Sequence, residues 1–117
     1  MTTRVLVCGG RDFNDYDLLE SVLDTISSEV GVFQIISGCA KGADTLAIQY
    51  ANKHEYPLRE FPADWDKHGK AAGPIRNKQM LDEGRPNIVI AFPGGRGTAD
   101  MVNRSKKVGI EVIEISE

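Results

Sequence analysis

Residues 88–100 of the chain read Ile88-Val89-Ile90-Ala91-Phe92-Pro93-Gly94-Gly95-Arg96-Gly97-Thr98-Ala99-Asp100. The first five side chains are all apolar, which is typical of a central strand in a parallel sheet, buried on both faces. The Pro-Gly-Gly turn ends that strand, and Thr98 to Val108 has the pattern of a helix. A strand, a glycine turn and a helix in this order predict one βα unit of an α/β protein.

The rest of the chain repeats this alternation in both directions. The other predicted strands are Arg4 to Gly9, Val32 to Ser37, Pro57 to Phe61 and Glu111 to Ile115. One further helix is predicted over the apolar positions between Leu18 and Ile26, with Asn14-Asp15 as its cap. Two more are predicted from Gly42 to His54 and from Pro74 to Glu83, and a long loop over 62–73 precedes the last of them. We therefore predict an α/β fold, a single Rossmann-like domain over residues 1–117. Its parallel five-stranded sheet should carry helices on both faces, because right-handed crossovers place them there.

Length and charge exclude several classes of protein. A chain of 117 residues is one ordinary domain, and its longest apolar run, Ile88 to Phe92, is far too short to span a bilayer. The N-terminal residues do not resemble a signal peptide, and two cysteines form no framework, so we expect a cytoplasmic protein. The net charge of −3 argues against a general nucleic-acid coat.

Three predicted loops between a strand and the next helix are rich in glycine, and each has one basic residue. They are Cys8 to Phe13 with Arg11, Ser37 to Asp44 with Lys41, and Pro93 to Asp100 with Arg96. Because the carboxyl ends of parallel strands lie at one edge of a sheet, these loops should meet there. Glycine lets a ligand approach backbone N–H groups, and the start of a helix attracts anions. We predict a phosphate or nucleotide site at this edge, with simple tight turns as the alternative for any single loop.

The predicted ligand contacts come from all three loops. Those to phosphate are Gly9, Gly10 and Arg11 in the first loop and Gly94, Gly95, Arg96, Gly97 and the Thr98 hydroxyl in the third. Ser37, Gly38 and Lys41 are the predicted ligand contacts in the second loop. Asp44 or Asp100 would accept hydrogen bonds from ribose hydroxyls. The glycine spacings match neither a dinucleotide fingerprint nor a Walker-type loop, so no bound cofactor is expected.

The segment before the third predicted helix is basic and holds the only tryptophan. From Trp65 to Lys78 the formal charge is +3, in a chain that is acidic as a whole. We predict that Trp65 and Lys70 form part of a lid, with the indole stacking on a base, and that Arg76 and Asn77 face the ligand. Packing of Trp65 over the core is the alternative. The two histidines and two cysteines stand at unrelated spacings, so no metal site is predicted.

These motifs resemble those of a known group of proteins. Pro93 to Thr98 resembles the PGGxGT signature of the LOG (Lonely Guy) phosphoribohydrolases, and Ser37 to Asp44 resembles the SGxAxGxD loop of DprA/Smf proteins. Both families belong to the SLOG superfamily of Rossmann-like domains. The segment from Asp64 to Asn77 is similar to the small YspA-type, cpYpsA-related branch, and the resemblance runs from Val7 to Val112.

The resemblance implies three possible functions, each with its own site. The first is nucleotide binding, in a sensor or processing domain. The second is LOG-like cleavage of a nucleoside 5′-monophosphate, in which Arg76 and Asp100 would be the catalytic residues, although Asp100 and Met101 stand where LOG proteins carry glutamate. The third is DprA-like binding of single-stranded DNA, which the acidic composition disfavours. The resemblance also implies a possible homodimer.

Overall fold

The computed structural model describes residues 2–116 and has a parallel sheet at its centre. The five strands are β1 (Thr3–Cys8), β2 (Phe33–Ser37), β3 (Leu58–Glu60), β4 (Ile88–Ala91) and β5 (Glu111–Glu114). Their spatial order is β3-β2-β1-β4-β5, and all four pairings are parallel. The predicted Rossmann-like fold with a five-stranded parallel sheet is therefore confirmed.

Within residues 2–116, five α-helices connect these strands. They are α1 (Tyr16–Val30), α2 (Ala43–His54), α3 (Trp65–His68), α4 (Ala72–Gln79) and α5 (Arg96–Lys107), with a 3₁₀ turn at Gly69–Ala71 and a π-helical turn at Met80–Gly84. Asp15 caps α1 as predicted, since its carboxylate accepts a hydrogen bond of 3.0 Å from the Leu18 N–H. None of the helices in the described chain is long and apolar enough to cross a membrane.

The alternation of side chains along β1 divides the core into two layers. Val5 and Val7 pack in the layer that contains Leu19 and Leu23 of α1 and Tyr50 of α2. Leu6 and Cys8 face the other way, into the layer that contains Met80, Met101 and Val102. The run from Val5 to Cys8 is apolar at every position, which is the pattern needed for a sheet covered on both faces. The helix that follows β1, α1, therefore packs in the first layer, whereas the helix that follows β4, α5, packs in the second.

The prediction of an irregular loop over 62–73 was wrong. That segment contains α3 and the 3₁₀ turn, and α4 begins at Ala72 rather than at Pro74. The local cause is the side chain of Asp64, which accepts a 3.0 Å hydrogen bond from the Lys67 N–H and so starts α3. Pro74 is compatible with the first turn of α4 because the N–H groups there have no partner within the helix.

The fifth helix also begins earlier than predicted. α5 starts at Arg96, two residues before Thr98, so that Gly97 lies in its first turn. Its cap is Gly95, which offers no side chain to the first turn. The glycine-rich loop after β4 is therefore partly helical, and the start of the helix lies closer to the sheet edge than the sequence indicated.

Candidate functional site

A cavity of about 620 Å³ opens at the carboxyl edge of the sheet, between the segments that follow β1 and β4. The chain leaves these two neighbouring strands toward opposite faces, so the two loops part and leave a crevice. Such switch points are the usual ligand sites of open α/β sheets. The volume lies within the range of sites for small molecules. We take this cavity as the candidate site.

The loop after β1 uses its glycines for packing within the protein. A Cβ atom on Gly9 would lie 2.6 Å from the Cβ of Ala43, and one on Gly10 would lie 2.9 Å from the Cα of Gly94. The Gly10 N–H donates a 2.8 Å hydrogen bond to the carbonyl of Pro93. Gly9 and Gly10 line the cavity, but their lack of side chains is explained by the close approach of neighbouring backbone.

The loop after β2 has its amides committed to internal hydrogen bonds. The Cys39 N–H donates to the Ser37 hydroxyl at 3.2 Å, and the Ala40 N–H donates to the Asp44 carboxylate at 3.1 Å. At the start of α2, the Ala43 N–H donates to the Gly10 carbonyl at 3.3 Å. This loop therefore differs from a phosphate cradle, in which the N–H groups point toward the ligand.

The loop after β4 is open to the cavity. Gly95 and Gly97 both line it, and a Cβ atom built on either glycine would meet nothing within 4 Å. Neither glycine has a positive φ, so neither packing nor backbone conformation requires a glycine there. No side chain caps the first turn of α5, and the residues Arg96 and Thr98 of that turn also line the cavity. Unpaired N–H groups and the positive end of a helix dipole make this turn suited to an anion.

An aromatic side chain and a cation form the rim of the cavity. The guanidinium of Arg11 lies 5.9 Å from the centre of the Trp65 ring, within range of a cation–π contact. Trp65 is 48% exposed, so about half of its surface is accessible to a ligand. On the α4 side, Gly73 lies beside the indole, since a Cβ there would be in ordinary van der Waals contact with it at 3.5 Å. One face of the rim is thus a large, accessible π-surface.

Asp100 stands in the cavity wall as part of a polar network. Its Oδ2 accepts hydrogen bonds from the Asn77 amide at 3.0 Å and from the Arg104 guanidinium at 2.8 Å. The Asn77 amide also donates to the Gly97 carbonyl at 3.3 Å, which ties α4 to the first turn of α5. Asp100 is therefore held in place and has a cation as its partner.

Asp44 is the second carboxylate in the cavity wall, and its surroundings are different. The residue is only 6% exposed, and no salt bridge to it is found among residues 2–116. Burial raises the pKa of Asp44 from the usual 3.8 to about 6, although the Ala40 N–H and the nearby charge of Arg76 lower it. Arg76 itself lines the cavity and donates a hydrogen bond to the Gly38 carbonyl.

Most of the residues predicted from the sequence meet at this cavity. The predicted residues that line it are Gly9, Gly10, Arg11, Asp44, Trp65, Arg76, Asn77, Gly95, Arg96, Gly97, Thr98 and Asp100. Five others lie outside its lining, namely Ser37, Gly38, Lys41, Lys70 and Gly94. Ser37 is fully buried, Gly38 packs under the Arg76 side chain, and Gly94 packs against Thr98 and Gly10. Lys41 and Lys70 are exposed.

The structure adds residues that sequence reasoning did not single out. They are Cys8, Ala40, Gly73, Pro74, Met80 and Met101. Met80 follows Asn77 by three positions along a helical segment, and this spacing could have revealed it. Burial raises the pKa of the Cys8 thiol to about 12, so this side chain is protonated at neutral pH. Within residues 2–116, no group of three or more His, Cys, Asp or Glu side chains is arranged to hold a metal ion.

Two comparisons describe what the fold and sequence are similar to. Gene 61 protein of Mycobacterium phage D29 is 32% identical over 122 residues, which is 97% of this chain and 97% of that protein. The X-ray structure of DNA processing protein A (DprA) from Streptococcus pneumoniae superposes with a TM-score of 0.81 at 21% identity. The match covers 99% of this chain and 51% of that one, so this chain spans about half the length of DprA, and the likeness is one of fold.

A family comparison covers the first part of the domain. The model that describes the YspA, cpYpsA-related SLOG family (YAcAr) matches residues 3–68, which is more than half of the 117 residues. The matched range contains the loops after β1 and β2, with Asp44, and ends in α3 with Trp65. The chain therefore belongs to the YspA, cpYpsA-related SLOG family.

Proposed function

We propose that the cavity binds a nucleotide or a nucleotide-derived ligand, and that the protein acts as a sensor or processing domain for it. Membership of a SLOG family supports a role with nucleotides or nucleic acid. The observation that carries the proposal is the open first turn of α5, where Gly95 and Gly97 leave the backbone accessible without any need of packing. A phosphate would bind these N–H groups and the side chains of Arg96 and Thr98.

The rim supplies the second half of the recognition. The exposed Trp65 ring offers a stacking surface for a base, and Arg11 lies over that ring on the cavity side. Stacking of a base on an aromatic side chain contributes about 1–3 kcal/mol. A phosphate at α5 and a base at Trp65 would occupy the same cavity, since both segments line it. This arrangement fits a ligand that has both groups.

The test is a thermal-shift screen with nucleoside mono- and diphosphates, ADP-ribose and cyclic dinucleotides. We expect at least one of them to raise the melting temperature of the wild-type protein. Gly95→Asp should abolish most of that increase, because it places a negative charge where the phosphate binds. Asn103→Asp adds the same charge further along α5, on an exposed side chain outside the cavity lining, and should keep the increase. A screen in which no compound shifts the melting temperature would contradict the proposal.

Trp65 gives an independent readout of the same binding. It is the only tryptophan, so the intrinsic emission of the protein reports on the rim. We expect the emission to change on titration with a compound that binds, and we expect Trp65→Ala to weaken binding by about ten-fold or more. Since half of the indole is exposed, this variant should lose little stability. Unchanged emission together with a melting temperature several degrees lower would contradict a stacking role.

A second function, cleavage of the N-glycosidic bond of a nucleoside 5′-monophosphate, is favoured by one observation. Arg76 and Asp100, the two residues that the LOG resemblance implies as catalytic, line the same cavity on facing helices. The experiment is incubation with AMP, GMP, CMP and UMP followed by chromatography for the free base. Release that is lost in both Arg76→Ala and Asp100→Asn would support this function. No release from any of the four compounds would leave binding as the function.

A further inference from the structure

Asp44 has one carboxylate oxygen that the protein leaves without a partner. Its Oδ2 accepts a hydrogen bond from the Ala40 N–H, whereas no donor to Oδ1 is found among residues 2–116. In that same part of the chain, every fully buried side-chain nitrogen or oxygen has a hydrogen-bond partner. Oδ1 must therefore keep some accessible surface. Because Asp44 is 94% buried and lines the cavity, we expect that surface to face the cavity.

The position of this oxygen is determined by the surrounding backbone. Asp44 lies in the first turn of α2, where the Ser37 hydroxyl donates a 3.0 Å hydrogen bond to its carbonyl. The Ala40 N–H holds the other carboxylate oxygen in place. Desolvation of a rigid, buried carboxylate that has no ion-pair partner costs free energy and so destabilises the folded state. The raised pKa of Asp44 has the same cause.

The chemistry of an ionised carboxylate limits what can satisfy it. It accepts hydrogen bonds and donates none, and it repels phosphate. In a nucleotide with its phosphate at α5 and its base at Trp65, the sugar lies between these two groups. The hydrogen-bond donors of that part of the molecule are the ribose hydroxyls. The other cavity carboxylate, Asp100, already has Arg104 as its partner.

We propose that Asp44 is the specificity-determining residue for the sugar and that the cavity prefers ribonucleotides over deoxyribonucleotides. The inference rests on the proposed function and deepens it. Asp44 Oδ1 accepts a hydrogen bond from the 2′-hydroxyl of the bound nucleotide. A 2′-deoxy ligand leaves this buried oxygen without a donor, and sites built to pair with a hydroxyl discriminate strongly against ligands that lack it.

Asp44→Asn is the variant that tests this role with the least disturbance of the fold. The Ala40 N–H must still find an acceptor, so it orients the amide oxygen of the new side chain toward itself. The NH₂ group then takes the place of Oδ1 and presents a donor where the wild type presents an acceptor. Asp44→Ser is a second variant, which is shorter and removes the carboxylate altogether. Asp17→Asn is the matched control, because it neutralises a carboxylate in the first turn of α1 that is exposed and lies outside the cavity lining.

The experiment compares AMP, GMP, CMP, UMP and ADP-ribose with their 2′-deoxy forms by calorimetric titration. For the compounds that bind, we expect the wild type and Asp17→Asn to prefer the ribose form by about ten-fold or more. Asp44→Asn and Asp44→Ser should reduce this preference to less than about three-fold. Equal binding of both forms by the wild type, or a preference that survives in both Asp44 variants, would overturn the inference while the proposed function stands. Binding of none of these compounds, in either form, would overturn both.

Discussion

The two sides of the cavity are built on different principles. On the closed side, formed by the loops after β1 and β2, backbone segments are in close contact and glycines are required by packing. On the open side, formed by the loop after β4 and the first turn of α5, Gly95 and Gly97 have free space around them. The carboxylates differ in the opposite sense: within residues 2–116, the buried Asp44 on the closed side has no ion-pair partner, whereas Asp100 on the open side has Arg104.

This difference separates residues that hold the fold together from residues that serve a ligand. Substitution of a glycine that is packed against backbone should mainly lower stability, whereas substitution of a glycine with free space around it should mainly weaken binding. A buried carboxylate without a partner lowers stability, so its presence in a cavity wall indicates a function. The same kind of substitution should therefore have opposite effects on the two sides. The following variants test that contrast.

The largest effect is expected for Gly42→Ala, on the closed side. Gly42 has a φ of +93°, and a Cβ atom there would overlap the backbone carbonyl of Gly10 and approach that of Arg11. Strain and overpacking should lower the free energy of unfolding by about 3 kcal/mol or more. Thermal unfolding should show a melting temperature lower by more than about 10 °C.

Gly97→Ala is the matched change on the open side. Gly97 lies in the first turn of α5 with nothing within 4 Å of a new Cβ, so alanine should leave stability unchanged or raise it by about 0.5 kcal/mol. Binding of a nucleotide should weaken instead, because the methyl group is added to a backbone segment that lines the cavity. If both variants lower the melting temperature equally, the division into a closed and an open side is wrong.

The second effect concerns the pH dependence of stability through Asp44. Because the pKa is 3.8 ordinarily and about 6 in the folded protein, the folded state binds the proton more tightly than the unfolded state. The contribution of Asp44 to stability is therefore greatest below pH 4 and is lost as the pH rises to about 6. Asp44→Asn cannot ionise and should not show this loss. Above pH 6 it should be more stable than the wild type by up to about 3 kcal/mol, since each pKa unit corresponds to about 1.4 kcal/mol.

Urea unfolding of both proteins between pH 3.5 and 8 measures this difference. The curves should lie close together near pH 3.5 and separate as the pH rises, with the variant above the wild type. A variant that is less stable than the wild type at every pH would mean that the carboxylate is needed for the fold. In that case the unpaired oxygen has a structural role that the contacts do not reveal.

The smallest effect is expected for Asp100→Asn, on the open side. The variant loses the ion pair with Arg104, whose Nε lies 2.8 Å from Oδ2 of Asp100, and both side chains are 34% exposed. Solvent screens such a pair, so the loss should be about 0.5 kcal/mol, of opposite sign to that of Asp44→Asn at neutral pH. Arg104→Gln and the double variant complete a thermodynamic cycle by chemical denaturation. A coupling above about 2 kcal/mol would contradict the view that this pair is a partly solvated contact.

Local sequence patterns were sufficient for the fold because they act over short distances. A parallel sheet that is covered by helices on both faces needs strands that are apolar on both faces. The run from Ile88 to Phe92 has this pattern, and the side chains of β1 are buried alternately in the two layers. The loop prediction for residues 62–73 was wrong because the carboxylate of Asp64 caps a short helix there, although the segment also contains glycines that are typical of loops. The sequence also predicted ligand contacts from all three glycine loops alike. Their difference depends on long-range hydrogen bonds such as Gly10 to Pro93, which no local pattern contains.

The sequence by itself determined the order of strands and helices, the parallel sheet and the edge at which the glycine loops gather. The reason is that hydrophobic period, capping residues and glycines act through their nearest neighbours in the chain. Only the tertiary structure decided which loop keeps its N–H groups free and which carboxylate remains unpaired. Both properties depend on what approaches from elsewhere in the fold, since the Ala43 N–H donates to the Gly10 carbonyl and the charge of Arg76 acts on Asp44.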